Sequence, residues 1–505
     1  MPDELPEELP YPSRVIDATH PDRLAVLARL FGIHAAPATR CRLLEIGCGT
    51  GVNLVSIASG LPGAELVGID TSPDQVACAA DHVRALGLRN VTVSERSVLD
   101  VGKDDGLFDY VVCHGVYSWV GEDVREKILD VCRENLAPNG LAFVSYNTYP
   151  GWHVRTMASD MMRFHLSGSA ARGEARVDEA MRFLALVRDG AGGAKTTYGK
   201  IVDDELSSLR ASHAGYIAHE HLAEHNHPIY FHELAARARA AGLAYVVDAE
   251  LAMTLPESFA PSVRTLLEAA LSSGDRVRAE QYIDFVSNRH FRGSLLCHEA
   301  AAGALDLAMS GDVFDGRALT AACATGASKQ AHDLSATPVS FEAAGGRRAQ
   351  LSDPLAKLAL ATLIARAPEA IDLDALVAEV ETKARASANA AALEARLTTF
   401  RADLRTQLLQ LFKYGFVRLR GYAPPVATRP SERPVAHGLA RREIGADAVP
   451  NAWHESITLD PLERLLLPNL DGTRDLAALA EATKTSALQV AAALERLARA
   501  ALLVA

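Results

Sequence analysis

Leu43–Asn53 reads LLEIGCGTGVN, an apolar run that meets a carboxylate and then glycines at 47, 49 and 51. Glycine is needed where the backbone turns sharply and must approach a ligand closely. A dinucleotide-binding fingerprint would place its last glycine where Val52 stands. Glu45, just ahead of Gly47, suits a cationic ligand better than a pyrophosphate. Asp70 closes the next apolar run, roughly 20 residues on, where a carboxylate can grip both ribose hydroxyls. Acid, glycines and acid together read as a site for S-adenosylmethionine (SAM). The side chains and backbone expected around it are Glu45, Gly47, Cys48, Gly49, Gly51, Asn53, Asp70, Thr71, Gln75, Ser97, Val98, His114 and Gly115.

A second group of residues bears on the acceptor. SYNTYPGWH, Ser145–His153, follows the apolar run Leu141–Val144, and HGVYSWV, His114–Val120, follows another. Aromatic residues make up only 6% of the chain, so two such clusters stand out. In an open parallel sheet, ligands sit beyond the carboxyl ends of the strands. The two clusters are therefore expected to meet beside the sulfonium. Methyl transfer is an in-line displacement that demands alignment and a neutral nucleophile. An ordinary lysine amine is only about 0.1% neutral near pH 7.4, a handicap of ~4 kcal/mol. Burial among rings beside a cation lowers that pKa, and rings can hold a methylammonium product. Tyr117, Trp119, Tyr146, Tyr149 and Trp152 are expected to line such a slot. Asn147 would orient the amine by its carbonyl, and His114 or His153 would accept a proton.

These residues need a parallel sheet to position them. Strands are expected at Arg42–Ile46, Glu65–Asp70, Asn90–Glu95, Phe108–Cys113 and Leu141–Tyr146, alternating with helical patterns. Ser72-Pro73-Asp74-Gln75 is a helix start, with a capping serine and proline in the first turn. A further helix opens at Thr19-His20-Pro21-Asp22. After His153 the pattern is helical to about Asn226; helix, glycine and two strands then complete the sheet. The fold class is α/β, a Rossmann-like sheet over residues 1–300 with helical inserts near 154–226 and 253–288. Mostly helical, winged-helix-like units follow at 301–425 and 426–505. LLQLFKYGFVRLRGY reads as a helix running into a hairpin, and Tyr422–Pro434, with four prolines, as a stiff linker.

Composition narrows the classes. At 505 residues, 49% apolar and 23% charged, the chain is expected to be a soluble globular protein of several domains. Apolar runs stay below the ~18–20 residues of a membrane span, and the acidic, proline-rich MPDELPEELP is unlike a secretory signal. Seven scattered cysteines point to reduced thiols in the cytoplasm. The net charge of −12 opposes nucleic-acid binding. His219, His221, His225, His227 and His232 crowd one stretch, with His221 and His225 spaced for one helix face, but no Cys lies near and no metal is expected.

The strings THPDRLAVLARLFG, FDYVVCHGVYSWV, SYNTYPGWH, HNHPIYFHELAARA, EQYIDFVSNRHFRGSLLCH, PSERPVAHGLAR and HESITLDPLERLLLPNLDGTRD span nearly the whole chain. Together they resemble the bacterial class I SAM-dependent methyltransferases with a so-called regulatory domain, which include rickettsial lysine methyltransferases of outer membrane protein. The resemblance implies methyl transfer to protein lysines, with S-adenosylhomocysteine (AdoHcy) released, and places Tyr11 in a segment folded over the cofactor. One departure is Ser97, where the family pattern offers an aspartate to the adenine amino group. The alternative readings are a methyltransferase acting on a small molecule or peptide natural product, and a non-catalytic SAM-binding regulator. The helical insert favours a homodimer.

Overall fold

The computed structural model describes Leu9, residues 13–326 and residues 334–504. Its centre is a seven-stranded sheet of β1 (Arg42–Ile46), β2 (Glu65–Asp70), β3 (Val91–Glu95), β4 (Phe108–Cys113), β5 (Leu136–Asn147), β6 (Leu243–Asp248) and β7 (Phe291–His298). The strand order is β3-β2-β1-β4-β5-β7-β6, with β7 antiparallel to both its neighbours. The five expected strands are present. β5 is longer than expected, because Leu136–Gly140 also joins the sheet and Asn147 pairs with Phe291. The order reverses between β1 and β4, so the loops after those strands open a crevice at their carboxyl ends.

Local chemistry starts the helices where the sequence suggests. In α1 (Pro21–Leu30) the His20 ring accepts a hydrogen bond from Asp22 N–H, and Pro21 presets the first turn. In α3 (Pro73–Ala85) the Ser72 hydroxyl accepts from Gln75 N–H. Between them α2 (Val52–Gly60) starts on Gly51 at φ +75°, where a Cβ would lie 2.6 Å from Ala79 Cβ. Gly51 thus serves both the turn and the close packing of α2 on α3.

After β5 the chain forms α5 (Gly151–Leu166), α6 (Gly173–Gly190), α7 (Thr197–Arg210) and α8 (Ala214–Glu220), a helical insert with its own apolar core around Met162, Leu184 and Leu206. Here α4 denotes Glu122–Glu134, between β4 and β5. α9 (Phe231–Ala240) leads into β6, and α10 (Pro261–Ser272) and α11 (Arg276–Ser287) form the second insert before β7. Among the described residues no helix is long and apolar enough to cross a membrane.

Beyond β7 the chain returns to the sheet. Leu24 and Leu27 of α1 share one buried core with Tyr110 and Phe143 on one side and Leu319, Phe341, Leu360 and Leu419 on the other. The expected hairpin after Lys413 is absent. Val417–Arg420 instead pairs antiparallel with Ala318–Ala321, a strand that precedes the helices. The prolines from Pro424 onward have no N–H to donate, which disfavours a return strand there. The hairpin of this unit is Val339–Ala343 against Arg347–Leu351. The last unit closes on Leu466, Leu479, Leu494 and Leu497, and its Leu439 packs against Val52 and Val55 of α2.

Candidate active site

Two adjoining cavities lie at the carboxyl ends of β1, β4 and β5. The larger, about 600 Å³, is lined by Glu45, Gly47, Cys48, Gly49, Thr50, Asn53, Asp70, Gln75, His114 and Gly115, with Ser13, Arg14 and Ile16 from the segment before α1. His219, Glu220, Glu224 and His225 from the end of the helical insert cover it. The smaller, about 200 Å³, is lined by His114, Ser118, Trp119, Ser145, Tyr146, Asn147, Arg155, Tyr216, Glu220, His290 and Phe291. Arg14, Ile16, His114, Gly115, Trp119 and Glu220 line both, so the two spaces are immediate neighbours.

The larger cavity fits the cofactor expected from the sequence. Glu45 is buried at the end of β1, where Oε1 accepts from Asn53 Nδ2 at 2.8 Å. Glu45 Oε2 is buried and has no hydrogen-bond partner among the described residues. Burial raises its pKa to about 7, with Asp70 adding to the rise and the Asn53 bond opposing it. A buried carboxylate with one oxygen unsatisfied is a receptor for an ammonium group. Asp70 Oδ2 accepts from Gly49 N–H at 2.9 Å and Oδ1 from Ser72 N–H at 3.0 Å, which fixes the carboxylate at the rim. Gly49, at φ +53°, has only the Gln75 side chain within 4 Å of where a Cβ would stand. The backbone can therefore approach a ligand there.

Four expected cofactor residues, Gly51, Thr71, Ser97 and Val98, lie outside this lining. Ser97 directs its hydroxyl to Leu99 N–H at 3.2 Å, capping a short 3₁₀ turn. Val98 is buried in the core on the α4 side of the sheet, and Thr71 is exposed. Tyr11 lies outside the described residues.

The aromatic clusters divide. Trp119 and Tyr146 line the smaller cavity; the Tyr146 hydroxyl is engaged by Ser294 Oγ at 3.0 Å. Asn147 donates from Nδ2 to Asn226 Oδ1 at 3.1 Å, and its backbone N–H to Ser118 Oγ at 2.8 Å. His114, stacked at 6.2 Å on Phe143, has its pKa lowered by burial, and secondarily by Arg14, to about 4. At neutral pH it is uncharged.

Tyr117, Trp152, Tyr149 and His153 do not line the slot. Tyr117 has no exposed surface and packs edge-on against Tyr146 within the core. Trp152 is buried behind Trp119, edge-on at 6.5 Å, and stacked on His221. Tyr149 and His153 stack on each other at 4.2 Å and gather around Tyr230 instead. The cause is the turn at Tyr149–Pro150: α5 starts at Gly151, and its first turn carries the side chains past the slot. The five histidines disperse as well. α8 ends at Glu220, so His221 and His225 share no helix face, and among the described residues no group of three ligands could hold a metal ion. Sequence reading passed over Arg14, Arg155, Tyr216, Asn226 and Phe291, which arrive from separate elements and carry no motif.

Three family profiles match successive parts of the chain: a "Methyltransferase domain" at residues 44–142, a "Predicted methyltransferase regulatory domain" at 213–298, and a "PKMT, C-terminal winged helix domain" at 432–497. Uncharacterized protein RP789 of Rickettsia prowazekii is 40% identical over 292 residues, 58% of this chain and 52% of that protein. The chain thus spans about half the length of that relative. Uncharacterized protein RP028 of the same organism is 36% identical over 233 residues, 46% of this chain and 93% of that protein. The chain belongs to the SAM-dependent methyltransferases with a regulatory domain. The structure of PKMT2 from Rickettsia typhi in complex with AdoHcy superimposes on this methyltransferase with a TM-score of 0.86 at 27% identity, covering 98% of this chain and 100% of the other. Residues 44–142, the span of the methyltransferase-domain match, supply Glu45, the glycines, Asp70 and His114 to the larger cavity, and the last unit matches the winged-helix profile.

Proposed function

We propose that this methyltransferase transfers the methyl group of SAM to lysine side chains of a protein substrate. The observation that carries the reading is the smaller cavity: an aromatic slot that adjoins the cofactor cavity and is lined by a neutral histidine and an amide. Glu45 would take the ammonium of the cofactor's amino-acid end, and Asp70 the ribose hydroxyls. SAM supplies an electrophilic methyl on a sulfonium. The chain's own residues then align and neutralise the incoming amine. Arg14 and Arg155 flank the slot, and their charge favours the neutral amine over ammonium. Nδ2 of Asn147 is taken by Asn226, which leaves Oδ1 without a hydrogen-bond partner among the described residues and available to an amine N–H. His114 stands at the junction of the cavities, where its uncharged ring adds no charge beside the amine. Tyr146, Trp119 and Phe291 give the lysine stem and methylated product an apolar, π-rich wall.

Support for lysine as acceptor also comes from the likeness to PKMT2, a protein lysine methyltransferase by its abbreviation. We place the enzyme in a bacterial cytoplasm, in keeping with its seven free cysteines. A homodimer would bury the exposed Phe164 and Leu186 of the helical insert. The test is incubation with methyl-labelled SAM and a host-cell lysate, followed by mass-spectrometric mapping. Label on lysines of one or a few proteins, lost in Asp70→Ala, is expected. Label confined to small molecules would overturn the lysine assignment.

A further inference from the structure

Asn53 lies where three parts of the chain meet. Its Oδ1 accepts from Ile16 N–H at 2.9 Å, ahead of α1, and its Nδ2 donates to Glu45 Oε1 and to Thr19 Oγ1. The third contact comes from far along the sequence: His454 Nε2 lies 3.0 Å from Asn53 Oδ1. An amide oxygen can only accept, so His454 must carry its proton on Nε2. Nδ1 is then the acceptor and takes the Ser56 hydroxyl at 2.9 Å. One imidazole thereby grips α2 at two residues one helical turn apart.

The loop bearing this ring is held from several sides. Asn451 Oδ1 accepts from the N–H groups of Trp453 and Glu455, and Asn451 Nδ2 donates to Ala500 O. Trp453 Nε1 donates to Pro368 O, and its carbonyl accepts from Arg420. His454 itself sits at φ +59°, a left-handed conformation disfavoured for a residue with a side chain. Backbone strain of this kind persists where surrounding structure over-determines it.

We infer that His454 of the winged-helix domain is a positioning residue for the cofactor site. By holding Asn53 Oδ1, it keeps Nδ2 turned toward Glu45 and so sets the carboxylate that receives the ammonium of the cofactor. The inference rests on the assignment of Glu45 to that ammonium and is independent of the methyl acceptor. It makes the winged-helix domain part of the SAM site.

Calorimetric titration of the full chain tests this with two ligands: AdoHcy, which carries the ammonium, and 5′-methylthioadenosine, which lacks it. His454→Ala is expected to weaken AdoHcy about tenfold, the scale of one hydrogen bond between neutral groups, and to leave 5′-methylthioadenosine unchanged. His454→Gln keeps a donor near Nε2 and should recover most of the loss. His454→Asn keeps only the reach of Nδ1 and should not. Equal weakening of both ligands would mean general damage to the fold and overturn the inference. Better rescue by Asn than by Gln would assign the position to backbone conformation, because Asn tolerates the left-handed region, and would overturn it too. Unchanged AdoHcy binding in His454→Ala would do the same. If Glu45→Gln leaves AdoHcy affinity intact, the Glu45 assignment itself fails, separately from His454.

Discussion

Asn147 at the end of β5 donates its side-chain amide to Asn226, 79 residues later in sequence and 3.1 Å away in space. The same loop adds Ile229 N–H to Asn147 O and His227 N–H to Ser118 O. The segment from Asn226 to Ile229 is thus stitched across the ends of β4 and β5, and Asn147 is held in the wall of the smaller cavity.

Replacing Asn147 by Ala should therefore lower kcat about 100-fold, the scale of one preorganised polar contact to the reacting group. AdoHcy affinity should stay within about twofold, since Asn147 faces only the smaller cavity. Asn226→Ala should show a smaller loss of the same kind. Single-turnover kinetics with a lysine acceptor, beside calorimetric AdoHcy binding, separates the two effects. A loss of affinity equal to the loss of rate would refute the assignment.

Glu45 predicts a pH dependence with a definite sign. Its folded pKa is raised to about 7 from the 4.5 of an ordinary glutamate, so between those pH values the ligand-free folded state holds a proton that the unfolded state has lost. Stability of the ligand-free protein should fall as pH rises through that window. Binding of an ammonium ligand needs the carboxylate, so AdoHcy affinity should rise about tenfold from pH 6 to pH 8. Glu45→Gln should raise the melting temperature at pH 8 and abolish the pH dependence of binding. A pH-independent AdoHcy affinity in the parent protein would contradict the raised pKa.

The two classes of aromatic residue should separate by readout. Tyr117→Ala removes a fully buried ring and should cost about 3–5 kcal/mol of stability in denaturant titration. Trp119→Ala opens the slot and should lower turnover about tenfold or more, with a smaller stability cost. A variant pair with these readouts exchanged would invert the structural assignment.

His153→Ala should leave kcat/KM within about threefold, because His153 contacts Tyr149 and Tyr230 outside both cavities. His114→Ala should lower kcat well beyond that. The His114 pKa near 4 means that its own titration leaves no inflexion between pH 6 and 8 in the rate profile. A large effect at His153 would bring the Tyr230 cluster into the reaction.

How far the sequence reaches differs between the two halves of the site. Strand, Glu45, the glycines and Asp70 lie within one β-turn-α-β unit, where local rules of backbone and hydrogen bonding dictate the outcome. That span alone determined the cofactor, the parallel sheet and the switch-point crevice. The composition of HGVYSWV and SYNTYPGWH likewise marked β4 and β5 as the acceptor side. Which of those aromatics face the slot was not legible, because one turn at Pro150 and the start of α5 decide it, and neither leaves a periodic pattern. Arg155 and Phe291 reach the slot only after the helical insert folds back and β7 pairs antiparallel with β5, and Arg14 arrives from the segment before α1. The placement of His454 on Asn53, 401 residues away in sequence, was settled by tertiary packing alone: no local propensity links them, and only burial of the winged-helix domain against α2 brings the two side chains into hydrogen-bonding distance.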